Sequence, residues 1–524
     1  MVQGTASSVG KSLVSAALCR AFARRGYRVA PFKSQNMSNN AAAVGEGEEI
    51  GRAQAFQALA AGVRPTVDMN PILLKPETDS RSQVILSGKP WKTLSAGDYY
   101  AERAALWAAA TAALDRLRES FEVVVIEGAG SPAEINLRES DIVNMAIARY
   151  ANSPVILVGD IDSGGVFAQF AGTLALLEPV DRAMVRGLVV NKFRGERSLL
   201  EPGLRMIEGI AGVPVLGVLP YLYGVGLAEE DAQSLESVVG ARAPMTGGTG
   251  SIDIAVIHYP RISNFDDFDA LRLEPSVRLR FVSSAAELGR PDAIILPGTK
   301  ATMADLEWLR SVGLDDGIRW LARLGAAVVG ICGGYQMLGM TLRDIDGVEG
   351  RPGSLPGLGL LPVETVFSRE KTVGPRTGRV AGGPGFLDAS SGQRLEGYEI
   401  HSGSTRTTDG SAAPFRIVGA GGLSRDDGAS SGDGMTWGSY LHGIFDLAGF
   451  RSAWIASLGA GGGRRSDGSP GPSVAAARQA ALEGLADAVE SGLDMRMLMD
   501  FMGLPAKGAQ KQKAPNQVSR STQA

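Results

Sequence analysis

Gly4-Thr5-Ala6-Ser7-Ser8-Val9-Gly10-Lys11-Ser12 stands almost at the start of the chain, and Val14, Ala17, Leu18, Ala21 and Phe22 follow it at helical spacing. A glycine-rich loop running straight into an amphipathic helix constrains the fold more than any other segment. Its backbone must turn sharply out of a strand and aim several N–H groups at one point. Such loops belong to parallel α/β sheets, where ligands collect at the carboxyl ends of strands. The rest of the first 240 residues agrees: the short apolar runs 123–126, 155–158, 188–190 and 215–219 alternate with longer helical patterns.

The loop's composition suits phosphate. Gly4, Thr5, Ser8, Val9 and Gly10 offer backbone N–H groups, the following helix adds partial positive charge, Lys11 reaches outer phosphates, and Ser12 can hold Mg²⁺. These residues predict an ATP site. The strict Gly-x-x-x-x-Gly-Lys-Ser form needs glycine at position 5; Thr5 stands there, and the leading glycine comes one residue earlier. Only Met1, Val2 and Gln3 precede the loop, fewer residues than an ordinary first strand, which raises the question of a start upstream of Met1. Glu127, at the end of the run 123–126, is the first candidate for a second magnesium ligand beside Ser12. Asp160 and Asp162 can ligate metal or cap a turn. Asn191 closes another strand, where its amide can meet a nucleotide base.

A second α/β series begins after a stretch of small, turn-prone residues, 240–251, which reads as a linker. Its strands are 252–257, 293–296 and 327–331. The last runs into Gly330-Ile331-Cys332-Gly333-Gly334 and a new helical pattern, a turn that exposes a nucleophile. A thiol needs a base. Of three histidines, only His442 follows a strand-like segment and opens into a glycine turn, so Cys332 and His442 form the expected catalytic pair. Backbone donors at Gly298, in Leu296-Pro297-Gly298-Thr299, and at Gly333 are expected to hold an oxyanion. His401 divides between ligand binding and structural duty, and His258 reads as structural. Cys19, inside the first helix, reads as a packing residue.

At 524 residues, two α/β units are expected: 1–240 around the phosphate loop and 251–503 around the cysteine, with 504–524 a disordered polar tail and 459–473 a mobile insertion. With 21% charged residues and a net charge of −4, the chain carries no bulk attraction to nucleic acid or anionic membrane. No apolar run approaches the roughly 18 residues that span a bilayer, and no secretory leader is recognisable, so a cytoplasmic address is expected. Two distant cysteines provide neither a disulfide framework nor metal-ligand spacing.

The cysteine turn, the later histidine and the Leu-Pro-Gly turn together resemble the class I (triad-type) glutamine amidotransferases. The first half resembles the dethiobiotin synthetase-like P-loop enzymes, whose loop carries the same extra residue. Their fusion in this order resembles the cobyric acid synthase family, as do Pro31-Phe32-Lys33-Ser34-Gln35-Asn36-Met37-Ser38-Asn39-Asn40, Asn70-Pro71-Ile72-Leu73-Leu74-Lys75-Pro76, the stretch from Glu127 to Leu137 and that from Gly159 to Phe167. The likeness covers nearly everything from Met1 to about Leu504. It implies glutamine as nitrogen donor and a corrinoid substrate, adenosylcobyrinic acid a,c-diamide, amidated at the b, d, e and g carboxylates. Related a,c-diamide synthases carry aspartate where Asn36 and Asn39 stand here, which favours the later amidation. Other P-loop amide ligases, acting on the a,c carboxylates or on cell-wall glutamate, are the rival enzymes. A ParA-like ATPase switch is the rival of another class, and it has no use for Cys332. Triad enzymes place glutamate two residues after the histidine; Ile444 stands there, leaving Asp446 and Glu399 as candidates to orient His442, and slow glutamine hydrolysis is the expected consequence.

Overall fold

The computed structural model describes residues 1–78, 80–222, 251–350, 352–460, 471 and 473–505. The expected linker, most of the 459–473 insertion and nearly all of the tail lie outside the described residues. The described chain is mixed α/β and built on two parallel sheets.

In the first half, Val2–Gly4, Val155–Asp160, Val185–Phe193 and Val215–Pro220 pair in that order, all parallel. Val29–Phe32 and Val123–Ile126 continue the sheet through a parallel bridge between Val2 and Glu127. Short as it is, Val2–Gly4 lies between two neighbours and is fully buried. Helix Lys11–Arg24 packs Val14, Leu18 and Phe22 against this sheet, and Cys19 is buried beside them. Burial first, then the Glu127 charge, push the Cys19 thiol up, as befits an inert packing residue. The helix is capped by Gly10 at φ 95°; a Cβ there would meet Asn191 Nδ2 at 2.3 Å, so both backbone and space require glycine.

A smaller sheet, Gln35–Met37, Ile72–Thr78, Arg81–Leu86 and Lys89–Ser95, rises from one end of this unit. Beside it a hairpin, Ala41–Gly45 with Glu48–Gly51, reaches the second half, where Gly47 N–H donates to the Val373 carbonyl.

The second half orders Val277–Val282, Ile252–Ile257, Ala293–Leu296, Ala327–Ile331 and Thr436–Ser439 in parallel, with Ala429–Ser430 antiparallel at the edge. Buried Trp437 anchors its core, meeting Phe415, Phe445, Phe450 and Trp454 ring to ring. A largely antiparallel sheet, centred on Val363–Val380 paired with Arg394–Thr407, flanks it.

The last helices, Val474–Gly492 and Met495–Phe501, fall within 251–503, yet they bury Leu482, Leu485, Val489, Met495 and Leu498 in the core of the first half. Arg24 pairs with Asp487 at 2.6 Å, and Asp494 N–H donates to the Leu216 carbonyl at 2.7 Å. Amphipathic pattern alone fixes which face of a helix is buried, and says nothing of which core receives it.

Candidate active site

The phosphate loop is held from three sides. Lys11 Nζ donates to the Ala6 carbonyl at 2.8 Å and to the Gly130 carbonyl at 3.1 Å, curling over the loop. Asn191 Nδ2 donates to the Val9 carbonyl at 2.8 Å, and Lys192 Nζ to the Ser8 carbonyl at 2.7 Å. Thr5 Oγ1 donates to Gln169 Oε1 at 2.8 Å. The Asn191 amide thus braces the loop, while its side chain also lines a cleft with Val14, Tyr221 and Leu485.

Ser12 Oγ donates to Glu127 Oε1 at 2.8 Å, so the two expected magnesium ligands converge. Glu127 is fully buried; Lys33 Nζ reaches the same oxygen at 2.9 Å and the Gln57 amide donates to the other. Lys33 and Gln57 escape sequence reasoning because neither belongs to the loop motif. Asp160 is a turn cap: its Oδ1 accepts from Asp162 N–H at 2.8 Å and its Oδ2 meets Lys192 Nζ at 3.0 Å. No group of three or more His, Cys, Asp or Glu able to hold a metal occurs among the described residues. Two hard oxygens beside a phosphate loop suit Mg²⁺, which takes one or two protein ligands and completes its octahedron with phosphate and water.

In the second half, Cys332 sits at φ 54°, a left-handed conformation strained for any residue but glycine, between strand Ala327–Ile331 and helix Gly333–Leu338. The turn is tight: a Cβ on Gly334 would lie 1.9 Å from the Leu296 carbonyl. This packs the cysteine turn onto the Leu296-Pro297-Gly298-Thr299 turn and brings Gly333 against Thr299 and Gly298 against the His442 ring.

His442 Nδ1 meets Asp267 Oδ2 at 2.6 Å, and Gly443 N–H donates to Asp267 Oδ1 at 3.1 Å. Burial alone would lower the imidazole, but Asp267 and Cys332 outweigh it and push it up to about 10. The buried Nε2 makes no other hydrogen bond and is left to the thiol. Asp267 therefore orients His442, and both sequence candidates are displaced. Asp446 pairs with Arg478 at 2.9 Å, and Glu399 is held between Arg376, Arg425 and His401. Asp267 lies 175 residues from His442, and only its place beyond the end of strand Ile252–Ile257 hinted at a role.

His401 stacks on Tyr440 with ring centroids 3.7 Å apart and lines the same small cavity as Cys332, Gly333, Thr299 and Gln336. Gln336 is fixed there, its amide donating to the Tyr440 hydroxyl at 3.1 Å and the Ser402 carbonyl at 3.0 Å. His258 is remote from this group and meets Ser283 and Phe281.

The wall opposite Cys332 belongs to the first half, which supplies Asn39, Lys75 and Gln83 to the cavity. The small four-stranded sheet is this partition. Residues alternate across a strand, so Lys75 and Gln83 face the cysteine, while Leu74, Pro76, Ser82 and Val84 line a cavity of about 570 Å³ on the other side. That larger cavity also reaches Gly130, whose carbonyl Lys11 grips.

A cysteine–histidine–aspartate site parted by one sheet from a larger cavity that reaches Gly130, beside the phosphate loop, defines a glutamine-dependent, nucleotide-consuming amide ligase. Residues 1–235 match the CobQ/CobB/MinD/ParA nucleotide binding domain, and residues 253–450 the CobB/CobQ-like glutamine amidotransferase domain. The chain is 52% identical to the cobyric acid synthase of Sorangium cellulosum, covering 96% of this chain and 98% of that one. It is 49% identical to that of Moorella thermoacetica, over 96% and 97%. A PurLQS structure from Thermotoga maritima aligns over 37% of this chain and 87% of its own, at 20% identity and a TM-score of 0.29. The chain belongs to the cobyric acid synthase family.

Proposed function

We propose that this chain amidates the b, d, e and g carboxylates of adenosylcobyrinic acid a,c-diamide, consuming one ATP and one glutamine for each, in the cytoplasm. Its family membership supports the reaction, and the observation that carries it is the pairing of two sites across one sheet. No helix among the described residues is long and apolar enough to cross a membrane.

In the amidotransferase half, the Cys332 sulfur attacks the amide carbon of glutamine, Gly298 and Gly333 N–H groups hold the oxyanion, and imidazolium His442 gives its proton to departing ammonia. Water then releases glutamate from the thioester. Asp267 keeps the His442 proton on the correct nitrogens. His401 and Gln336 border the glutamine, and Lys75 and Lys371, which share buried Glu49, together leave one positive charge beside it for its α-carboxylate.

The synthetase half makes an inert carboxylate reactive. Lys11 steers the outer phosphate of ATP to a substrate carboxylate in the larger cavity, and ammonia displaces phosphate from the acyl phosphate. Ser12 and Glu127 would hold Mg²⁺, which when bound neutralises phosphate charge. A corrin ring needs a broad, largely apolar enclosure, and the 570 Å³ cavity with Leu74, Val84, Tyr99 and Tyr100 meets that need.

The test separates the halves. Cys332→Ser is expected to abolish amidation with glutamine and spare amidation with ammonium salts, while Lys11→Ala eliminates both. Product mass identifies the acceptor: the a,c-diamide must gain four amides. Equal loss of both nitrogen sources in the Cys332 variant would sink the scheme.

A further inference from the structure

The His442–Asp267 dyad is braced by a residue from the other half. Helix Arg52–Ala61 belongs to the nucleotide-binding unit, and its first residue points into the amidotransferase. Arg52 Nε meets Asp266 Oδ2 at 2.5 Å, one residue from Asp267, and its guanidinium lies 5.1 Å above the Tyr398 ring. That ring in turn stacks on His442, with centroids 5.0 Å apart and planes within 11°. The Tyr398 hydroxyl donates to Asp267 Oδ1 at 3.4 Å, and Tyr398 exchanges two backbone hydrogen bonds with His442. One guanidinium therefore caps a stack whose far member is the catalytic imidazole, and ties down the segment carrying its carboxylate.

We infer that Arg52 is a positioning residue for glutamine hydrolysis: by holding Asp266 and Tyr398 it fixes the plane and partner of His442, so that the amidotransferase half works at full rate only when docked on the synthetase half. The cause is geometric. A planar guanidinium can bond a carboxylate edge-on while stacking on an aromatic face, and neither contact alone would set both the ring and the aspartate. Asp266 is buried and Arg52 partly so, which limits screening of the pair, and loss of the arginine leaves Asp266 without its cation. The middle of the same helix contacts the nucleotide site, where Gln57 donates to the Ser12 carbonyl at 3.3 Å and to Glu127. A single short helix thus spans from the phosphate loop to the dyad.

This rests on the functional reading above, and its test uses the full chain. Glutamate release and ammonium-supported amidation are measured for wild type, Arg52→Ala, Arg52→Lys and Asp266→Asn. Arg52→Ala is expected to lower kcat for glutamate release at least tenfold, the scale of a misplaced catalytic group, and to change the KM for glutamine less than about threefold. Ammonium-supported amidation stays within about twofold, because the synthetase chemistry does not use the stack. Arg52→Lys, which still reaches Asp266, recovers part of the loss. Asp266→Asn leaves the arginine in place and is expected to reproduce the fall, which guards against an alanine variant that fails to fold. Unchanged glutamate release, or equal loss of both activities, would overturn the inference. Absence of glutamate release by wild type would instead refute the reading on which it rests.

Discussion

Replacing Asp267 with asparagine removes one negative charge and changes almost nothing in volume, so it isolates what the carboxylate does for His442. The ring is fully buried, and burial alone favours the neutral form. It nevertheless stands at about 10 in place of 6.5, with Asp267 the largest raising influence. At about 1.4 kcal/mol for each tenfold change, that rise corresponds to roughly 5 kcal/mol of preference for the imidazolium, most of which Asp267→Asn forfeits. Two consequences follow for glutamate release. The imidazolium that protonates departing ammonia becomes scarce at neutral pH, and kcat drops by about 10²-fold or more, as positioned proton transfer is worth. The alkaline limb of the pH profile, expected near pH 10 in wild type, moves toward neutrality. Glutamate release across a pH series, with ammonium-supported amidation as control, reads both effects. A variant within twofold of wild type whose alkaline limb does not move would show that the 2.6 Å contact is incidental.

The raised imidazole also links stability to pH. Its folded value exceeds the unfolded one, so its contribution is complete below about pH 6.5 and disappears as pH climbs through about 10; the Tm of wild type should fall more steeply across that window than that of Asp267→Asn. Lys75→Met removes the positive charge by which Lys75 and Lys371 together exceed the Glu49 they share, and is expected to raise the KM for glutamine about tenfold or more, the worth of an interaction with a charged group, and to spare ammonium-supported amidation. Equal KM values would remove Lys75 from the glutamine pocket. Trp437→Ala empties the centre of an aromatic cluster and should cost about 3–5 kcal/mol, read as a lowered melting transition; near-wild-type melting would mean that the cluster repacks.

Strands 252–257, 293–296 and 327–331 emerge in the structure with the limits read from sequence, because each is a short, largely apolar run bounded by polar or turn residues and, Asp253 apart, buried on both faces. Cys332 was legible for a local reason too, since small residues must flank a strained nucleophile turn. The small partition sheet escaped. Its strand Ile72–Thr78 carries Lys75 and Pro76 amid apolar residues, since one face lines a polar cavity and the other a broad apolar one, and no simple alternation survives two such demands. Asp267 was invisible as a partner for His442 for another reason. Two residues 175 positions apart meet through the order of strands in a sheet, which no local pattern encodes.

Sheet order also bears on why the two activities share a chain. The first half closes its sheet with Val215–Pro220, and the chain then builds the entire amidotransferase before helix Val474–Gly492 returns to cover the first core. Leu493 bridges Gly217 there, and Leu485, Ala488 and Val489 wall the cleft beside Asn191. The amidotransferase is in this sense inserted into the synthetase, held at both ends by a body it did not form. Such an arrangement lets the synthetase supply Arg52 behind the dyad and Lys75, Asn39 and Gln83 in front of the thiol without relying on a flexible tether to find the register. Ammonia is lost to water and to protonation unless it is made where it is consumed. A thiol whose pocket is finished by the other half has one sheet between its cavity and the larger one.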